Sequence, residues 1–147
     1  LVKREGDTPT ICLAEKKRGF RTGKLNGYGG KLENGETIKD CAIRETFEEA
    51  KVNVTELRKL AYVEFHETHI THVCHIFVTE NWEGEPQETE EMLPNWYAVN
   101  EIPFERMGQA DPHWLLPVLE GKKLEAHFYY NEESKMINTE VVYLDEL

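Results

Sequence analysis

Three carboxylates at helical spacing carry the strongest chemical signal in the sequence: Glu45, Glu48 and Glu49. At about 100° per residue on a helix, the arc that begins with Ile38 and Cys41 runs into these glutamates. Like charges three and four residues apart repel one another, and partial burial makes that repulsion costlier. Hard divalent cations prefer carboxylate oxygens and would relieve both costs, so one interpretation of this stripe is a site for a divalent cation, with Mg²⁺ expected and Mn²⁺ as the alternative ion.

A second interpretation of the same helix is that the glutamates form a solvated face. A different apolar arc, made of Ile43, Phe47 and Ala50, would then be buried, and the helix alone does not decide between the two. The glycine-rich loop before it, residues 23–35, favours the metal site, because glycines let the backbone come close to a ligand. Lys31 in that loop adds a positive charge suited to phosphate.

The spacing from loop to helix resembles the Nudix box, in which a glycine, a glutamate, an Arg-Glu pair and a Glu-Glu pair are separated by five, seven and two residues. Six residues match it at every spacing: Gly30, Glu36, Arg44, Glu45, Glu48 and Glu49. Chance produces such a match at roughly one in 10⁷ starting points. Arg44 lies near enough in angle to Glu36 for the pair to brace the loop against the helix. Two positions depart from the pattern: Thr46 replaces an aliphatic residue, and Lys51 replaces a terminal glycine, which predicts an altered helix end.

The resemblance extends to the MutT-type branch of the Nudix family, whose members hydrolyse oxidised purine nucleoside triphosphates such as 8-oxo-dGTP. It covers most of the chain, through residues 16–20, 25–31, 90–92, 102–104, 114 and 127–137. It implies an α+β Nudix fold, with a mixed β-sheet sandwiched between helices, and hydrolysis of a purine nucleoside triphosphate to the monophosphate and pyrophosphate. The alternatives are a nucleotide sugar or dinucleotide as substrate, or a Nudix module that binds a nucleotide without cleaving it.

The family's metal site, carried over by position, consists of four carboxylates and one carbonyl: Glu45, Glu48, Glu49, Glu91 and the carbonyl of Gly29. Glu91 would complete the metal site or act as general base, and Arg44 would belong to the catalytic group. Bound metal neutralises phosphate charge and lowers the pKa of a water, while a nearby carboxylate takes its proton. The sequence leaves open which carboxylate is the base.

For the nucleotide base, the resemblance points to Phe20, Asn26 and Asp111. Phe20 would stack on the base, the Asn26 amide would read a purine edge, and Asp111 held protonated would donate a hydrogen bond. Residues 108–111 read Gly-Gln-Ala-Asp, where the family has an aromatic residue, a proline and two aspartates. That departure puts the preference for an oxidised purine in question. Asp111 also has a second interpretation, as the N-cap of a helix that starts at Pro112.

The elements that must position these residues follow from apolar periodicity. Strands are predicted near residues 10–15, 60–65, 72–79, 95–99, 126–130 and 137–144. A helix of about fourteen residues starts near Thr37, its N-cap, and a second helix spans residues 112–120 with Gly121 just beyond. This order of elements indicates one α+β domain over residues 1–147.

Bulk composition limits the partners. The contents of 39% hydrophobic and 31% charged residues are those of an ordinary soluble protein, and no apolar run reaches the length of a membrane span. The net charge of −11 argues against a nucleic-acid polymer and suits a small nucleotide whose charge is offset by bound cations. Three cysteines in apolar surroundings predict reduced thiols and a cytoplasmic location. A monomer and a small homo-oligomer both fit.

Four histidines recur at every third position: His66, His69, His72 and His75. A step of three alternates between the faces of a strand, so the four cannot line one surface. A turn between them could bring two together as a transition-metal site, but cross-strand polar contacts or the lining of a ligand pocket are favoured.

Overall fold

Eight β-strands and two α-helices make up the structure, a computed structural model that describes residues 1–147. The strands are β1 (Val2–Lys3), β2 (Thr10–Lys16), β3 (Leu25–Asn26), β4 (Asn53–His66), β5 (Thr71–Glu83), β6 (Met92–Ala98), β7 (Lys123–Tyr130) and β8 (Met136–Leu144). The helices are α1 (Ile38–Ala50) and α2 (Asp111–Leu119), with 3₁₀ turns at Val99–Glu101 and Phe104–Arg106. Neither α-helix has the length and hydropathy that a membrane span requires.

All six predicted strands are present, as β2 and β4 to β8, but several bounds differ from the prediction. β4 begins at Asn53, whereas the sequence predicted a start near residue 60. The prediction missed the first part of the strand because those residues are mostly exposed and form no continuous apolar run. β6 begins at Met92 and includes Pro94, which an edge strand tolerates. β1 and β3 are absent from the prediction because two residues are too few to show a period.

Contacts between residues divide the chain into two compact units. The first consists of Leu1–Leu57 and Thr79–Met107, and the second consists of Arg58–Val78 and Gly108–Leu147. The first holds β1, β2, β3, α1 and β6, and the second holds α2, β7 and β8, while β4 and β5 each contribute to both. One domain over residues 1–147 therefore stays a prediction.

The sheet of the first unit is centred on β2, whose residues 11–14 are buried. β6 pairs antiparallel along the whole of β2, and α1 contacts β6. β1 and β3 pair with opposite ends of β2, so that Leu25 faces Glu15 and Asn26 faces Ala14. This pairing, together with the buried Leu25 side chain, anchors the start of the glycine-rich loop that leads to α1.

The second sheet has the strand order β5-β4-β7-β8 and is mixed, because β4 pairs parallel with β7 while β7 pairs antiparallel with β8. Alternate residues on one face of the central strands are buried: Ala61, Val63, Leu124, Ala126 and Phe128. Helix α2 contacts β7 within the second unit. Mixed pairing together with helices confirms the predicted α+β class.

Both ends of α1 depend on local backbone chemistry. Thr37 is the N-cap as predicted, since its hydroxyl accepts a hydrogen bond from the amide of Asp40 at 3.0 Å. The predicted alteration of the other end is wrong: Lys51 itself adopts the left-handed conformation, with φ of 60°, and its amide donates to the carbonyl of Phe47 at 2.9 Å. The lysine thus keeps the helix end that a glycine usually provides, at a steric cost of about 1–2 kcal/mol.

Replacing Lys51 with glycine is therefore expected to raise the free energy of unfolding by roughly 0.5–1 kcal/mol, after allowing for the greater chain entropy of unfolded glycine. Urea unfolding followed by circular dichroism measures the change. Lys39→Gly, within the same helix and exposed, is the matched control and is expected to lower stability by about 1 kcal/mol. A Lys51→Gly protein less stable than the wild type would contradict this interpretation.

The start of α2 differs from the prediction by one residue. Asp111 is the first helical residue and Ala110 is the N-cap, so the interpretation of Asp111 as an N-cap is wrong. The Asp111 carboxylate instead reaches back to the preceding turn, where it accepts from the amide of Gly108 at 2.9 Å. The helix ends at Leu119, and Gly121 follows its C-cap with φ of 90°, as expected for a glycine just beyond a helix.

Candidate active site

The predicted brace between loop and helix is present in the first unit. Arg44 Nε and Nη2 donate to the two carboxylate oxygens of Glu36 at 2.6 and 3.0 Å, a bidentate pair. Arg44 Nη2 also donates to the carbonyl of Lys31 at 3.1 Å, and this contact holds the loop itself. The arginine hydrogen bonds, assisted by the amide of Glu33, lower the pKa of Glu36 to about 2.

This lowered pKa makes a prediction about stability and pH. Because the pKa of Glu36 is about 2 in the folded protein and about 4.3 in an unfolded chain, the pair stabilises the fold above pH 4.3. That contribution disappears as the pH falls through the window between the two values. Glu36→Gln is expected to lower the melting temperature at pH 7. The difference in melting temperature from the wild type is expected to stay constant above about pH 4.3 and to narrow below it, toward pH 3.

Thermal unfolding at a series of pH values tests this expectation. Glu133→Gln, an exposed glutamate in the turn between β7 and β8, serves as the control and is expected to match the wild type throughout. If the difference in melting temperature between Glu36→Gln and the wild type stayed constant from pH 7 to pH 3, the substitution would act through packing rather than through charge.

The buried face of α1 differs from both predicted arcs. Cys41, Thr46 and Ala50 are its buried residues, whereas Ile38 is exposed and Phe47 is 50% exposed. Burial of Thr46 is satisfied locally, since its hydroxyl donates to the carbonyl of Ala42 at 2.7 Å. The inward side of α1 consists of residues 41, 45, 46, 49 and 50. Glu45 and Glu49 therefore lie on the inward side, as binding of a metal ion by these glutamates requires.

Glu45 lies against the backbone of the glycine-rich loop. Arg44 Nη1 donates to its carboxylate at 2.8 Å, and the side chain is only 16% exposed. A Cβ atom placed on Gly30 would lie 2.3 to 2.6 Å from the three carboxyl atoms of Glu45, closer than real contacts allow. Glycine at position 30 therefore makes room for this carboxylate.

Glu49 shows that several carboxylates share one site. Its Oε1 accepts from the amide of Gly29 at 2.8 Å. Burial raises the pKa of Glu49 to about 7, and the negative charges of Glu45 and Glu91 push that pKa in the same direction. The Gly29 amide and the charge of Lys16 oppose the rise. The predicted role of the Gly29 carbonyl as a metal ligand stays a prediction, because the group observed against Glu49 is the amide.

Glu48 and Glu91 lie at the exposed side of this cluster. Glu48 is more than half exposed and is 3.2 Å from Arg44 Nη1. Arg18 Nε donates to Glu91 Oε1 at 2.8 Å, with a second contact from its Nη2 to the same oxygen, and these bonds lower the pKa of Glu91. An open groove of about 390 Å³ runs beside these side chains and is also lined by Lys51 and residues 87–90.

The Arg18–Glu91 pair is a feature that reasoning from the sequence missed. The two residues are 73 positions apart, so no local spacing relates them. Arg18 belongs to the stretch 16–20 and Glu91 to the stretch 90–92, both of which carry the family resemblance. That shared membership is the one signal in the sequence that could have linked them.

The residues predicted to bind the nucleotide base fall in both units. In the first unit, Asn26 is partly buried on β3, and Phe20 is 77% exposed with the guanidinium of Arg21 5.4 Å from its ring centroid. Asp111 belongs to the second unit, where its Oδ1 accepts from the indole of Trp114 at 3.1 Å. Their roles in binding a base stay predictions, as does the phosphate role of Lys31, which is exposed.

Three of the four histidines, His66, His72 and His75, have separate partners, as the three-residue spacing predicts. The turn after His66 closes with a bond from the amide of Glu67 to the carbonyl of Ile70. His72 then lies 3.2 Å from the Glu67 carboxylate, and the rings of His75 and Tyr62 pack in a T-shaped arrangement with centroids 5.2 Å apart. His66 stacks on His127 and Tyr129 of the neighbouring strand β7. Cross-strand contacts are thus confirmed for this segment.

The side chains around Glu49 fit a divalent cation. Glu45, Glu49 and Glu91 offer hard oxygen donors, and burial together with the negative charges of Glu45 and Glu91 raises the pKa of Glu49. A bound cation would reverse that shift by favouring the ionised carboxylate. The cleft at Gly30, which a Cβ would fill, leaves the Glu45 carboxylate space beside the backbone.

Comparisons with known proteins agree with this geometry. A NUDIX domain profile matches residues 1–116. The oxidized purine nucleoside triphosphate hydrolase of Mus musculus is 36% identical to this chain over 130 residues, which are 87% of this chain and 83% of the mouse protein. The protein of the same name from Danio rerio is 37% identical over 139 residues, which are 93% of this chain and 89% of the zebrafish protein. The crystal structure of a MutT protein from Bacillus halodurans superposes with a TM-score of 0.78 at 22% identity, over 90% of this chain and 89% of its own. The profile and both relatives cover most of the chain, and the chain belongs to the Nudix family of hydrolases.

Proposed function

We propose that this Nudix hydrolase is a Mg²⁺-dependent pyrophosphohydrolase of purine nucleoside triphosphates, with 8-oxo-dGTP among its substrates and a monophosphate and pyrophosphate as products. The observation that carries the proposal is the cluster of Glu45 and Glu91 around the partly buried Glu49. Nudix hydrolases generally use divalent metal ions and act on small nucleotides. The names of the mouse and zebrafish relatives support oxidised purines as the substrate class.

In the proposed site, Glu45 and Glu49 hold the metal, assisted by Glu48 and the carbonyl of Gly29. When bound, the ion would supply charge neutralisation for the diphosphate and would lower the pKa of a coordinated water. Mg²⁺ suits these oxygen donors best, and Mn²⁺ is a substitute with the same ligand preference.

The remaining steps are assigned to side chains of this chain. Arg44 keeps Glu45 in place through the 2.8 Å contact and keeps the loop against the helix through Glu36. Glu91 is proposed to complete the site or to take the proton of the attacking water, and Arg18 contacts one of its carboxylate oxygens. Lys31 is proposed to bind a phosphate.

Base recognition is proposed for Phe20, Asn26 and Asp111. Phe20 exposes an aromatic face on which a base can stack, and the Asn26 amide offers a donor and an acceptor to a purine edge. The hydrolase is proposed to act in the cytoplasm, where its three free cysteines would stay reduced.

A second candidate substrate class is another diphosphate, such as a nucleotide sugar or a dinucleotide. It is favoured by residues 108–111, where Asp111 is engaged with Gly108 and Trp114 and the family's aromatic residue is missing. A binding module without catalysis is disfavoured, because every acidic position of the Nudix box is present.

A substrate panel separates these candidates. The initial rate of phosphoanhydride cleavage would be measured with Mg²⁺ for 8-oxo-dGTP, 2-hydroxy-dATP, the ordinary triphosphates, a nucleotide sugar and a dinucleotide. We expect the highest kcat/KM for an oxidised purine triphosphate. Equal rates for oxidised and ordinary purines would assign a broader triphosphatase, and cleavage of only the sugar or dinucleotide would overturn the proposal.

A further inference from the structure

Three side chains with metal-ligating atoms, none of them part of the Nudix box in the sequence, converge on strands β4 and β7 of the second unit. Parallel pairing of β4 with β7 sets Glu64 beside His127, and His66 lies two residues after Glu64 on the same face. His66 Nε2 and His127 Nδ1 are 3.0 Å apart, and Glu64 Oε2 is 3.1 Å from the same His127 nitrogen. All three ligand atoms lie within 4.8 Å of one another.

The hydrogen-bond arrangement of His127 points to a cation at this place. Its Nε2 lies 2.9 Å from a carboxylate oxygen of Glu125, which can only accept a hydrogen bond when ionised. A neutral imidazole that donates from Nε2 leaves a bare lone pair on Nδ1. That lone pair can accept a hydrogen bond from His66 Nε2 when that nitrogen carries the proton, but it also faces the Glu64 carboxylate oxygen 3.1 Å away. A cation bound between the three atoms would remove this repulsion.

Both histidines also have the outer contacts that hold metal ligands in position. Metal-binding histidines usually donate their other ring nitrogen to a carboxylate or another oxygen. Glu125 takes this place for His127, and the hydroxyl of Thr71 lies 3.3 Å from Nδ1 of His66. The His66 ring is further fixed by stacking on Tyr129, with centroids 4.6 Å apart and planes inclined by 9°.

Donor chemistry and spacing identify the class of ion. Two imidazole nitrogens and one carboxylate suit Zn²⁺ and its neighbours in the transition series, whereas Mg²⁺ prefers oxygen donors and octahedral geometry. Tetrahedral Zn²⁺ with bonds of about 2.0–2.1 Å separates neighbouring ligand atoms by about 3.3 Å, a few tenths more than the 3.0 and 3.1 Å found here. Rotation of the side chains about their χ angles accommodates that difference.

We propose that Glu64, His66 and His127 form a Zn²⁺ site with an open fourth position, independent of the Nudix-box metal. The ion joins the parallel strands β4 and β7 and so stabilises the second unit. Glu125 is a positioning residue that orients His127. The side chains of Glu64 and His127 are 22% and 21% exposed, which leaves the site accessible to an ion from solvent.

Zn²⁺ titration of the EDTA-stripped full chain tests the proposal, with excess Mg²⁺ present to occupy the oxygen-rich Nudix-box site. A chromophoric zinc chelator reports the competition, and we expect one bound equivalent together with a Zn²⁺-dependent rise in melting temperature. His127→Gln and His66→Gln, taken separately, are each expected to weaken binding by more than about 100-fold. His69→Gln, exposed in the turn after β4, is the matched control and is expected to bind as the wild type does.

Two further variants locate the ion. Glu125→Gln is expected to weaken Zn²⁺ binding by about 10–100-fold without changing the stoichiometry, as loss of an outer partner does. Glu49→Gln is expected to retain the zinc equivalent whatever becomes of its hydrolase activity. No zinc equivalent in the wild-type chain would overturn the proposal, as a doubly protonated His127 could satisfy its contacts without metal. If Glu49→Gln lost the bound Zn²⁺ while His66→Gln and His127→Gln both kept it, the zinc would belong to the Nudix box. That result would also overturn the proposal.

Discussion

Replacing Glu49 with glutamine is expected to lower the rate of pyrophosphate release by more than about 100-fold, because loss of even an outer partner of a metal ligand costs about 10–100-fold. Glutamine keeps the shape of the side chain and can still accept the hydrogen bond from the Gly29 amide. It removes the negative charge that would hold the cation. The steady-state rate with the best substrate of the panel measures the effect.

The metal-free stability of this variant distinguishes lost chemistry from lost folding. Burial and the charges of Glu45 and Glu91 disfavour the ionised form of Glu49, whose pKa is raised to about 7. A carboxyl with a raised pKa destabilises the fold once the pH exceeds its unfolded value, so the neutral amide should leave the metal-free protein at least as stable at pH 8. Glu133→Gln serves as the matched control both for the rate of pyrophosphate release and for the stability of the metal-free protein. A large drop in the melting temperature of Glu49→Gln would show that the residue is structural.

The second large effect is expected for Gly30→Ala. The added methyl group would lie 2.3 Å from the Glu45 carboxyl carbon, so the carboxylate must move away from its position. Displacement of a catalytic group by about 1 Å costs on the order of 100-fold in rate, and we expect a loss of this size in kcat/KM. The end of a glutamate side chain can swing aside, so the fold should survive and the melting temperature should change little.

Gly27→Ala is the control for this prediction. A Cβ at Gly27 meets no heavy atom within 4 Å, and the backbone there has no positive φ. Its activity should therefore remain close to that of the wild type. Equal losses in the two alanine variants would point to flexibility of the whole loop, and full activity of Gly30→Ala would show that the Glu45 carboxylate is not needed in its observed place.

Features that depend on nearby residues were predictable from the sequence. The start of α1 at Thr37 follows from one capping side chain and the next few amides. The Glu36–Arg44 brace follows from eight residues of spacing across a loop and a helix. The α+β class follows from the order of the apolar runs. Each of these is decided by interactions within a few turns of backbone.

The features that the sequence did not predict depend on competition between local contacts or on pairing of distant strands. Asp111 does not cap α2, because its carboxylate accepts from Gly108 instead. Lys51 ends α1 in the left-handed conformation without the glycine that the pattern associates with it. His127 meets His66 only because β4 and β7 pair in parallel at one register, which periodicity within each strand cannot specify.

The central claim is that the carboxylates around Glu49 bind the divalent cation that hydrolysis requires. Its most direct test is the rate of pyrophosphate release by the EDTA-treated protein as Mg²⁺ is added back, measured for wild type and Glu49→Gln with the same substrate. We predict no release without metal, saturable activation of the wild type, and a curve for the variant displaced to far higher Mg²⁺ concentration with a low plateau. Release in the presence of EDTA, or the same Mg²⁺ dependence in both proteins, would contradict the claim.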